Sequence, residues 1–209
     1  MSKQPIIIGI AGPSASGKSL LAQTIVAELG SDQVVIISED SYYKDRAHLP
    51  FEQREKINYD HPDAFDHELL YQQLQQLQAG RTVHIPTYDY SQHTRSQHTR
   101  EIGQHAIIVL EGILLLSEAK IRELLNISIF METPLDMCFL RRIRRDVKER
   151  GRDLDSVLDQ YEATVRPMYQ QFIEPCKRYA DIIVPHGGKN RIAIEVIKAQ
   201  MRDVLLNTV

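Results

Sequence analysis

A glycine-rich octapeptide near the N-terminus constrains the fold more than any other feature of the chain. It matches the pattern G-x-x-x-x-G-K-[ST] and consists of Gly12, Pro13, Ser14, Ala15, Ser16, Gly17, Lys18 and Ser19. A predicted strand, Ile6–Ile10, precedes it, and a predicted helix, Ser19–Leu29, follows it and ends at Gly30. In this setting the glycines allow backbone N–H groups to surround phosphate oxygens, and the helix N-terminus adds positive potential. The octapeptide, hereafter the P-loop, therefore predicts a triphosphate site in which Lys18 reaches the β- and γ-phosphates and Ser19 ligates Mg²⁺.

Five short apolar runs predict the strands of one sheet. They are Ile6–Ile10, Val34–Ile37, Ala106–Leu110, Ile127–Met131 and Ile182–Val184. Each run is continuous rather than alternating, which is typical of parallel strands covered on both faces. Helical patterns separate them, at Ser19–Leu29, at Asp66–Gln78, from Pro134 after an N-cap at Thr133, and at Asn190–Leu206. We therefore expect an α/β three-layer fold of the P-loop NTPase type, with a five-stranded parallel sheet.

Residues 42–105 interrupt this alternation. They hold six of the nine tyrosines and seven of the eight histidines, with one possible short strand at Thr82–Tyr88. A pentapeptide, Ser-Gln-His-Thr-Arg, occurs at residues 91–95 and again at 96–100, and we expect this duplication to lie in a loop. An interruption of this length is typical of a functional insert. We therefore predict a single domain, residues 1–209, that carries a small aromatic-rich insert.

The composition excludes several classes of protein. The 209 residues are 43% hydrophobic and 25% charged, with a formal net charge of −3, so neither disorder nor a basic nucleic-acid-binding surface is indicated. Cys138 and Cys176 form no CxxC pattern and the histidines show no HxxxH spacing, so neither a disulfide framework nor zinc is predicted. No apolar run approaches the ~20 residues of a membrane span, and the N-terminal run is too short for a signal peptide. We expect a cytoplasmic protein that binds no membrane.

Carboxylates follow two of the predicted strands. Glu111 comes directly after Ala106–Leu110, and Glu39 and Asp40 follow Val34–Ile37. The carboxyl ends of parallel strands meet at one edge of the sheet, where the ligand crevice lies. We expect Glu111 to bind Mg²⁺ or its water shell. Asp40, or Glu39 in its place, would accept the proton of an attacking hydroxyl.

The segment 141–152 concentrates positive charge. It contains seven basic and two acidic residues, a net charge of +5. One interpretation is a solvated helix face with i,i+4 ion pairs, such as Arg142–Asp146 and Arg145–Glu149. The other is a lid, residues 141–153, that ends its helix at Gly151 and brings arginines to a transferring phosphoryl group. The two interpretations are compatible, because arginines at helical spacing point in several directions.

Taken together, these motifs resemble the uridine–cytidine kinase family of P-loop nucleoside kinases, from Ile6 to Leu205. The segments that carry the resemblance are Gly12–Ser19, Asp40–Tyr43, Asp60–Asp66, Tyr88–Tyr90 with His93 and Arg95, Glu111–Leu114, Glu149–Asp153 and Tyr179–Asp181. The resemblance implies transfer of phosphate from ATP or GTP, with Mg²⁺, to uridine and cytidine in pyrimidine salvage. It also implies a homotetramer and feedback inhibition by CTP and UTP.

The resemblance further implies roles for individual residues. Asp40 is implied to be the general base, assisted by Lys18, Arg150 and Arg152. The implied nucleoside-binding residues are Tyr43, Asp60, Tyr88, His93, Arg142, Arg145 and Gln160. The metal ligands Ser19 and Glu111 are predicted from the P-loop pattern and the strand end instead. Gln92 stands where the family often has an acidic residue, and the duplication makes His98 an alternative to His93.

Other functions remain open from the sequence. A kinase similar to phosphoribulokinase or pantothenate kinase would share the P-loop, although the aromatic insert favours a flat acceptor over a sugar phosphate. A nucleotide-dependent regulator would bind triphosphate and hydrolyse it slowly. The chain contains no Asn-Lys-x-Asp guanine motif, which argues against that regulator.

Overall fold

The computed structural model describes residues 4–29 and 32–206, with side chains up to residue 203. Its strands are β1 (Ile6–Ala11), β2 (Val34–Ser38), β3 (Val83–Asp89), β4 (Thr94–Ile102), β5 (Ile107–Glu111), β6 (Ile127–Glu132) and β7 (Ile182–Pro185). Its α-helices are α1 (Lys18–Leu29), α2 (Phe51–Arg54), α3 (His67–Gln78), α4 (Ala119–Leu124), α5 (Leu135–Lys148), α6 (Leu154–Gln160), α7 (Arg166–Met168) and α8 (Arg191–Leu206). The predicted helix stop at Gly30 lies outside the described residues.

The main sheet is parallel and five-stranded, in the order β2-β5-β1-β6-β7. Each of its strands lies within one residue of its predicted bounds. On one face Ile7 of β1 packs in a cluster with Leu70 and Leu74 of α3. On the other face Ile8 packs in a cluster with Leu21 of α1. Successive strand residues thus point to opposite helical layers, and the predicted three-layer α/β fold is confirmed.

The edge strand β7 departs from the predicted burial on both faces. Ile182 and Ile183 are 38% and 43% exposed, whereas Val184 is buried. This strand pairs only with β6 in the described sheet. An edge position with cover on one side explains why an apolar run here does not produce a fully buried strand. None of the helices in the described ranges is long and apolar enough to cross a membrane.

The insert contains an antiparallel hairpin, β3–β4. The possible strand at Thr82–Tyr88 is observed as β3, but the prediction that the duplicated pentapeptide lies in a loop is wrong. Its second copy, residues 96–100, lies entirely within β4, and the first copy crosses the turn into that strand. β4 is polar and largely exposed, so it carries none of the apolar alternation by which a strand is recognised in a sequence.

The start of α5 also differs from the prediction. Pro134, with φ −50° and ψ 136°, occupies the N-cap position, and the helix begins at Leu135. The Thr133 hydroxyl does not cap the helix but donates to the carbonyl oxygen of Ser16 in the P-loop at 2.9 Å. The predicted cap residue therefore ties the loop before α5 to the P-loop.

Candidate active site

The P-loop joins the end of β1 to the start of α1. Gly12 and Gly17 adopt φ values of +139° and +102°, which glycine adopts readily and other residues rarely do. A Cβ atom at Gly17 would lie 2.5 Å from the backbone nitrogen of Gly188. The ammonium group of Lys18 donates to the carbonyl oxygen of Pro13 at 2.9 Å. Burial lowers the pKa of Lys18, and the nearby carboxylates of Glu111 and Asp40 partly offset this.

The donor set beside the P-loop fits Mg²⁺. The Ser19 hydroxyl lies 3.2 Å from Glu111 Oε2, and the Ser38 hydroxyl donates to Glu111 Oε1 at 3.0 Å. A hydroxyl and a carboxylate are hard oxygen ligands, which Mg²⁺ combines with phosphate oxygens and water. Within the described residues no cluster of three or more His, Cys, Asp or Glu side chains could hold a metal. Ser19 and Glu111 would therefore bind the ion jointly with the oxygens of a bound phosphate, and the protein alone would not supply a complete set of ligands.

Two cavities adjoin at Asp40. The first, of about 320 Å³, is lined by Glu111 and by five residues of the P-loop, which are Ser14, Ala15, Gly17, Lys18 and Ser19. The second, of about 140 Å³, is lined mainly by the aromatic insert and the segment 141–153, hereafter the arginine segment. Four residues line both cavities, namely Ser14, Asp40, Ile113 and Arg145. A carboxylate at this junction faces a group bound in either cavity.

The carboxylate of Asp40 is in a setting that suits a base. Burial, together with the negative charges of Glu111 and Glu39, raises the pKa of Asp40 to about 6. Tyr90 donates a hydrogen bond from its hydroxyl to Asp40 Oδ2 at 3.0 Å. Tyr90 belongs to the Tyr-Asp-Tyr motif, but no role was predicted for it from the sequence. The signal that could have identified it is its place two residues after Tyr88, directly after the end of a strand.

Glu39 faces a different environment from its neighbour Asp40. It is fully buried, and its Oε2 accepts from the backbone N–H of Leu114 at 2.9 Å. Its Oε1 lies 2.8 Å from Nε2 of His67. Burial would lower the pKa of His67, but the hydrogen bond and charge of Glu39 outweigh it and raise that pKa. Glu39 lines neither of the two cavities, so the geometry favours Asp40 over Glu39 as the group that meets a ligand.

The second cavity brings together all of the residues that the resemblance implied for nucleoside binding. They are Tyr43, Asp60, Tyr88, His93, Arg142, Arg145 and Gln160, and Arg150 and Arg152 line the same cavity. His93 adopts φ +50° in the hairpin turn and its ring stacks on Tyr59. His98 lies on the exposed part of β4 and does not line the cavity. Of the two duplicated histidines, His93 is thus the one beside this cavity.

Aromatic rings form one wall of the second cavity. The ring of Tyr43 stacks on Phe65 at 4.3 Å between centroids and lies 4.9 Å from the ring of Tyr88. The Tyr88 hydroxyl is buried and has no hydrogen-bond partner within the described parts of the chain. An unpartnered buried hydroxyl is costly unless a ligand satisfies it. Burial, together with the charge of Arg152, lowers the pKa of His93, so its ring is neutral at neutral pH.

Asp60 and Arg142 provide opposite charges at the base of the second cavity. Each is only 7% exposed. Burial raises the pKa of Asp60, and the charges of Arg142 and Arg145 partly offset this. Arg142 donates to the hydroxyl of Ser14 at 3.3 Å and to Oε1 of Gln160 at 3.0 Å. It therefore connects the P-loop to the acceptor side of the site.

Four arginines of the arginine segment surround Asp146, an arrangement that the sequence pattern did not predict. Its buried carboxylate lies within 4 Å of four arginines, at 2.8 Å from Arg145, 3.4 Å from Arg150, 3.6 Å from Arg142 and 3.7 Å from Arg152. The expected ion pair Arg142–Asp146 is present. The expected pair Arg145–Glu149 is not found among the described ion pairs, because Arg145 turns its Nε to Asp146 instead.

Comparison with known proteins places the chain among kinases. Residues 7–193 match the model of the Phosphoribulokinase / Uridine kinase family. The uridine kinase of Tolumonas auensis is 62% identical over 206 residues, covering 97% of this chain and 96% of the relative. The uridine kinase of Aeromonas hydrophila is 59% identical over 205 residues, covering 96% of each chain.

A solved structure supports the same fold. Phosphoribulokinase from Rhodobacter spheroides superposes with a TM-score of 0.60 at 18% identity, covering 88% of this chain and 71% of that one. The family match and the two relatives extend over nearly the whole chain, including the P-loop, Asp40 and the arginine segment. The chain belongs to the phosphoribulokinase/uridine kinase family.

Proposed function

We propose that this chain transfers the γ-phosphoryl group of ATP or GTP to the 5′-hydroxyl of uridine and cytidine, forming UMP and CMP in pyrimidine salvage. The observation that carries the proposal is the junction of the P-loop cavity and the aromatic cavity at Asp40. The two uridine kinases that are 62% and 59% identical support the choice of a pyrimidine nucleoside as acceptor.

In the proposed reaction Asp40 orients the 5′-hydroxyl and accepts its proton. The hydroxyl oxygen attacks the γ-phosphorus, the bond to the bridging oxygen breaks, and ADP or GDP leaves with the electron pair. Lys18, Arg150 and Arg152 balance the negative charge that spreads over the transferring group. Mg²⁺, held by Ser19 and Glu111 with the phosphates, would neutralise charge on the β- and γ-oxygens. Positioning and electrostatics account for most of the rate.

The acceptor roles follow from the chemistry of the cavity wall. Tyr43, Asp60 and Arg142 bind the ribose, which offers hydroxyl groups to a buried carboxylate and guanidinium. Tyr88 and His93 contact the pyrimidine, and the unpartnered Tyr88 hydroxyl and the neutral His93 ring support this. A neutral imidazole both donates and accepts hydrogen bonds, so it suits uracil and cytosine alike. Arg145 and Gln160 hold the arginine segment near the bound nucleoside.

The proposal extends to the organisation of the chain. Residues 1–209 act as one kinase domain, in which residues 42–105 bind the nucleoside and the arginine segment acts as a lid. We also propose a cytoplasmic homotetramer that CTP and UTP inhibit. The exposed apolar side chains of Ile182 and Ile183 on the edge strand β7 support assembly. Light scattering of the purified protein tests the tetramer, and inhibition by added CTP or UTP tests the feedback.

A coupled assay with ATP and Mg²⁺ tests the proposed activity. The acceptor panel contains uridine, cytidine, adenosine, thymidine and ribulose 5-phosphate. Turnover confined to uridine and cytidine is expected. Turnover of ribulose 5-phosphate alone would favour a sugar-phosphate kinase, and ATP binding without turnover of any acceptor would favour a nucleotide-dependent regulator.

The variant Asp40→Asn tests the assignment of the base. It keeps the shape of the side chain and removes its ability to take a proton. We expect kcat to fall at least ~10²-fold, the low end for loss of a general base. The matched variant Glu39→Gln separates the two neighbouring carboxylates, because Glu39 lines neither cavity. If Glu39→Gln lost as much kcat as Asp40→Asn while remaining folded, the assignment to Asp40 would be wrong.

A further inference from the structure

Tyr90 lies where the hairpin, Asp40 and the arginine segment meet. It is the first residue after β3, and its hydroxyl donates to Asp40 Oδ2 at 3.0 Å. The guanidinium of Arg150 lies over its ring, 5.3 Å from the centroid. The side chain of Asp89 fixes the turn, because its Oδ1 accepts from the backbone N–H groups of Ser91 and Gln92 at 2.8 and 3.1 Å.

The hydroxyl of Tyr90 is the donor in this contact. Its pKa is raised well above the ordinary value by burial of the hydroxyl and by the negative charge of Asp40. The phenol is therefore protonated at neutral pH and one oxygen of Asp40 accepts from it. An acceptor hydroxyl bound in the second cavity would compete for the same carboxylate.

The side chain of Tyr90 is more exposed than the other aromatic side chains of this wall. Tyr90 is 50% exposed, whereas Tyr43 is 8% exposed. Its covered half contacts Arg150 and the Tyr88 ring, so moving the ring away from Asp40 uncovers less apolar surface than moving Tyr43 would. The contact can thus be present in the acceptor-free protein and absent when an acceptor is bound.

A kinase with an accessible base has to discriminate against water. In the acceptor-free state, water in the cavity of about 320 Å³ beside the P-loop can reach the γ-phosphate. A water oxygen that attacked the phosphorus would pass its proton to Asp40, the bond to the bridging oxygen would break, and ADP and phosphate would form. A carboxylate that already accepts a hydrogen bond from Tyr90 is less available for that proton.

We propose that the Tyr90 hydroxyl occupies Asp40 while the acceptor is absent, suppresses hydrolysis of ATP by water, and is displaced by the acceptor hydroxyl. Tyr90 is on this account a positioning residue that determines specificity for an alcohol over water. The inference rests on the proposed role of Asp40 as base.

The test measures hydrolysis of ATP with Mg²⁺ in the absence of any nucleoside. The variant Tyr90→Phe keeps the ring beside Arg150 and removes only the hydroxyl. We expect the acceptor-free hydrolysis rate to rise at least ~10-fold, the low end for loss of one hydrogen bond to a charged group. Tyr71→Phe is the matched control, because it removes a tyrosine hydroxyl from α3, and no residue of α3 lines either cavity. The Tyr71→Phe protein should hydrolyse ATP no faster than the unaltered protein.

The double variant Tyr90→Phe/Asp40→Asn shows whether the effect acts through Asp40. We expect the added hydrolysis to disappear in it. An unchanged or lower hydrolysis rate in a folded Tyr90→Phe protein would overturn the inference, as would a gain that persists in the double variant. Failure of the proposed function is seen separately, because the unaltered protein would then phosphorylate no nucleoside.

Discussion

Replacing Asp146 by asparagine removes a negative charge from the centre of four arginines. The carboxylate is fully buried, and the amide has nearly the same volume, so the change alters charge and hydrogen bonding rather than packing. The amide nitrogen would face guanidinium N–H groups, which offer it no acceptor. We therefore expect the variant to be less stable than the unaltered protein.

The contacts of Asp146 set the size of this effect. The hydrogen bond from Arg145 Nε at 2.8 Å is charge-assisted. The side chains of Arg150 and Arg152 are 44% and 33% exposed, so water screens their attraction and they contribute little. The side chain of Arg142 is only 9% exposed and would lose one of its two nearby negative charges, since Asp60 remains. The lost hydrogen bond and the weaker compensation of this buried charge together give a decrease in the free energy of unfolding of about 3 kcal/mol.

The pH dependence of this difference follows from the pKa of Asp146. Burial alone would raise that pKa, but the hydrogen bond from Arg145 and the charges of the surrounding arginines outweigh it, so the pKa lies below its ordinary value. A carboxylate whose pKa is lowered on folding stabilises the protein above its unfolded pKa of ~3.9, and this contribution is lost as the pH falls through the native pKa. The unaltered protein and Asp146→Asn should therefore differ in free energy of unfolding by the same amount at pH 6 and pH 8. This difference should become smaller only below about pH 4.

Urea unfolding at pH 6 and pH 8 measures the difference directly. With a slope of ~2–3 kcal/mol per molar urea, the midpoint of Asp146→Asn should fall by about 1 M. Glu149→Gln is the matched control, since it removes the same charge from an exposed position in the same segment, and it should change stability by less than ~0.5 kcal/mol. A decrease below ~1 kcal/mol for Asp146→Asn would refute the argument, because the arginines would then be satisfied by water alone.

Two other perturbations follow from the same contacts. Since the pKa of Asp40 is about 6 and only the ionised carboxylate can take a proton, kcat/KM for uridine should fall about tenfold per pH unit below that value; an acidic limb near pH 4 in the pH–rate profile would contradict the raised pKa. In Gly112→Ala the new Cβ would overlap the buried side chain of Glu39, so urea unfolding should show a loss of ~2–4 kcal/mol; a loss under ~1 kcal/mol would mean that Glu39 can move at little cost.

The sequence was most informative where local chemistry and fold position coincide. The P-loop needs glycines at fixed positions between a strand and a helix. The five continuous apolar runs predicted the positions of the five parallel strands. Because the carboxyl ends of parallel strands meet at one edge, the positions of Asp40 and Glu111 followed from their place in the chain. These predictions depend on short-range pattern and on one topological rule, both of which are visible in a single sequence.

The features that the sequence did not reveal depend on long-range contacts. Thr133 preceding Pro134 has the local pattern of a helix cap, yet its hydroxyl donates to Ser16, 117 residues away. Asp146 has the spacing of an ordinary surface ion pair with Arg142. Arg150 and Arg152 come close to it only because residues 150–152 fold back after α5. The contact between Tyr90 and Asp40 joins residues 50 positions apart, and no local propensity encodes it.

The anchoring of α5 determines which part of the arginine segment can move. Thr133 connects the start of this helix to the P-loop through its hydrogen bond to Ser16. Arg142, which is buried, makes a second connection through its hydrogen bond to Ser14. Moving the first two turns of α5 would break these contacts and unseat the phosphate-binding loop. Gly151 adopts φ +65°, and no atom of the described residues lies within 4 Å of a Cβ built on it. In the proposed lid, the closing movement would therefore take place beyond Arg145, around Gly151, where Arg150 and Arg152 can leave the carboxylate of Asp146.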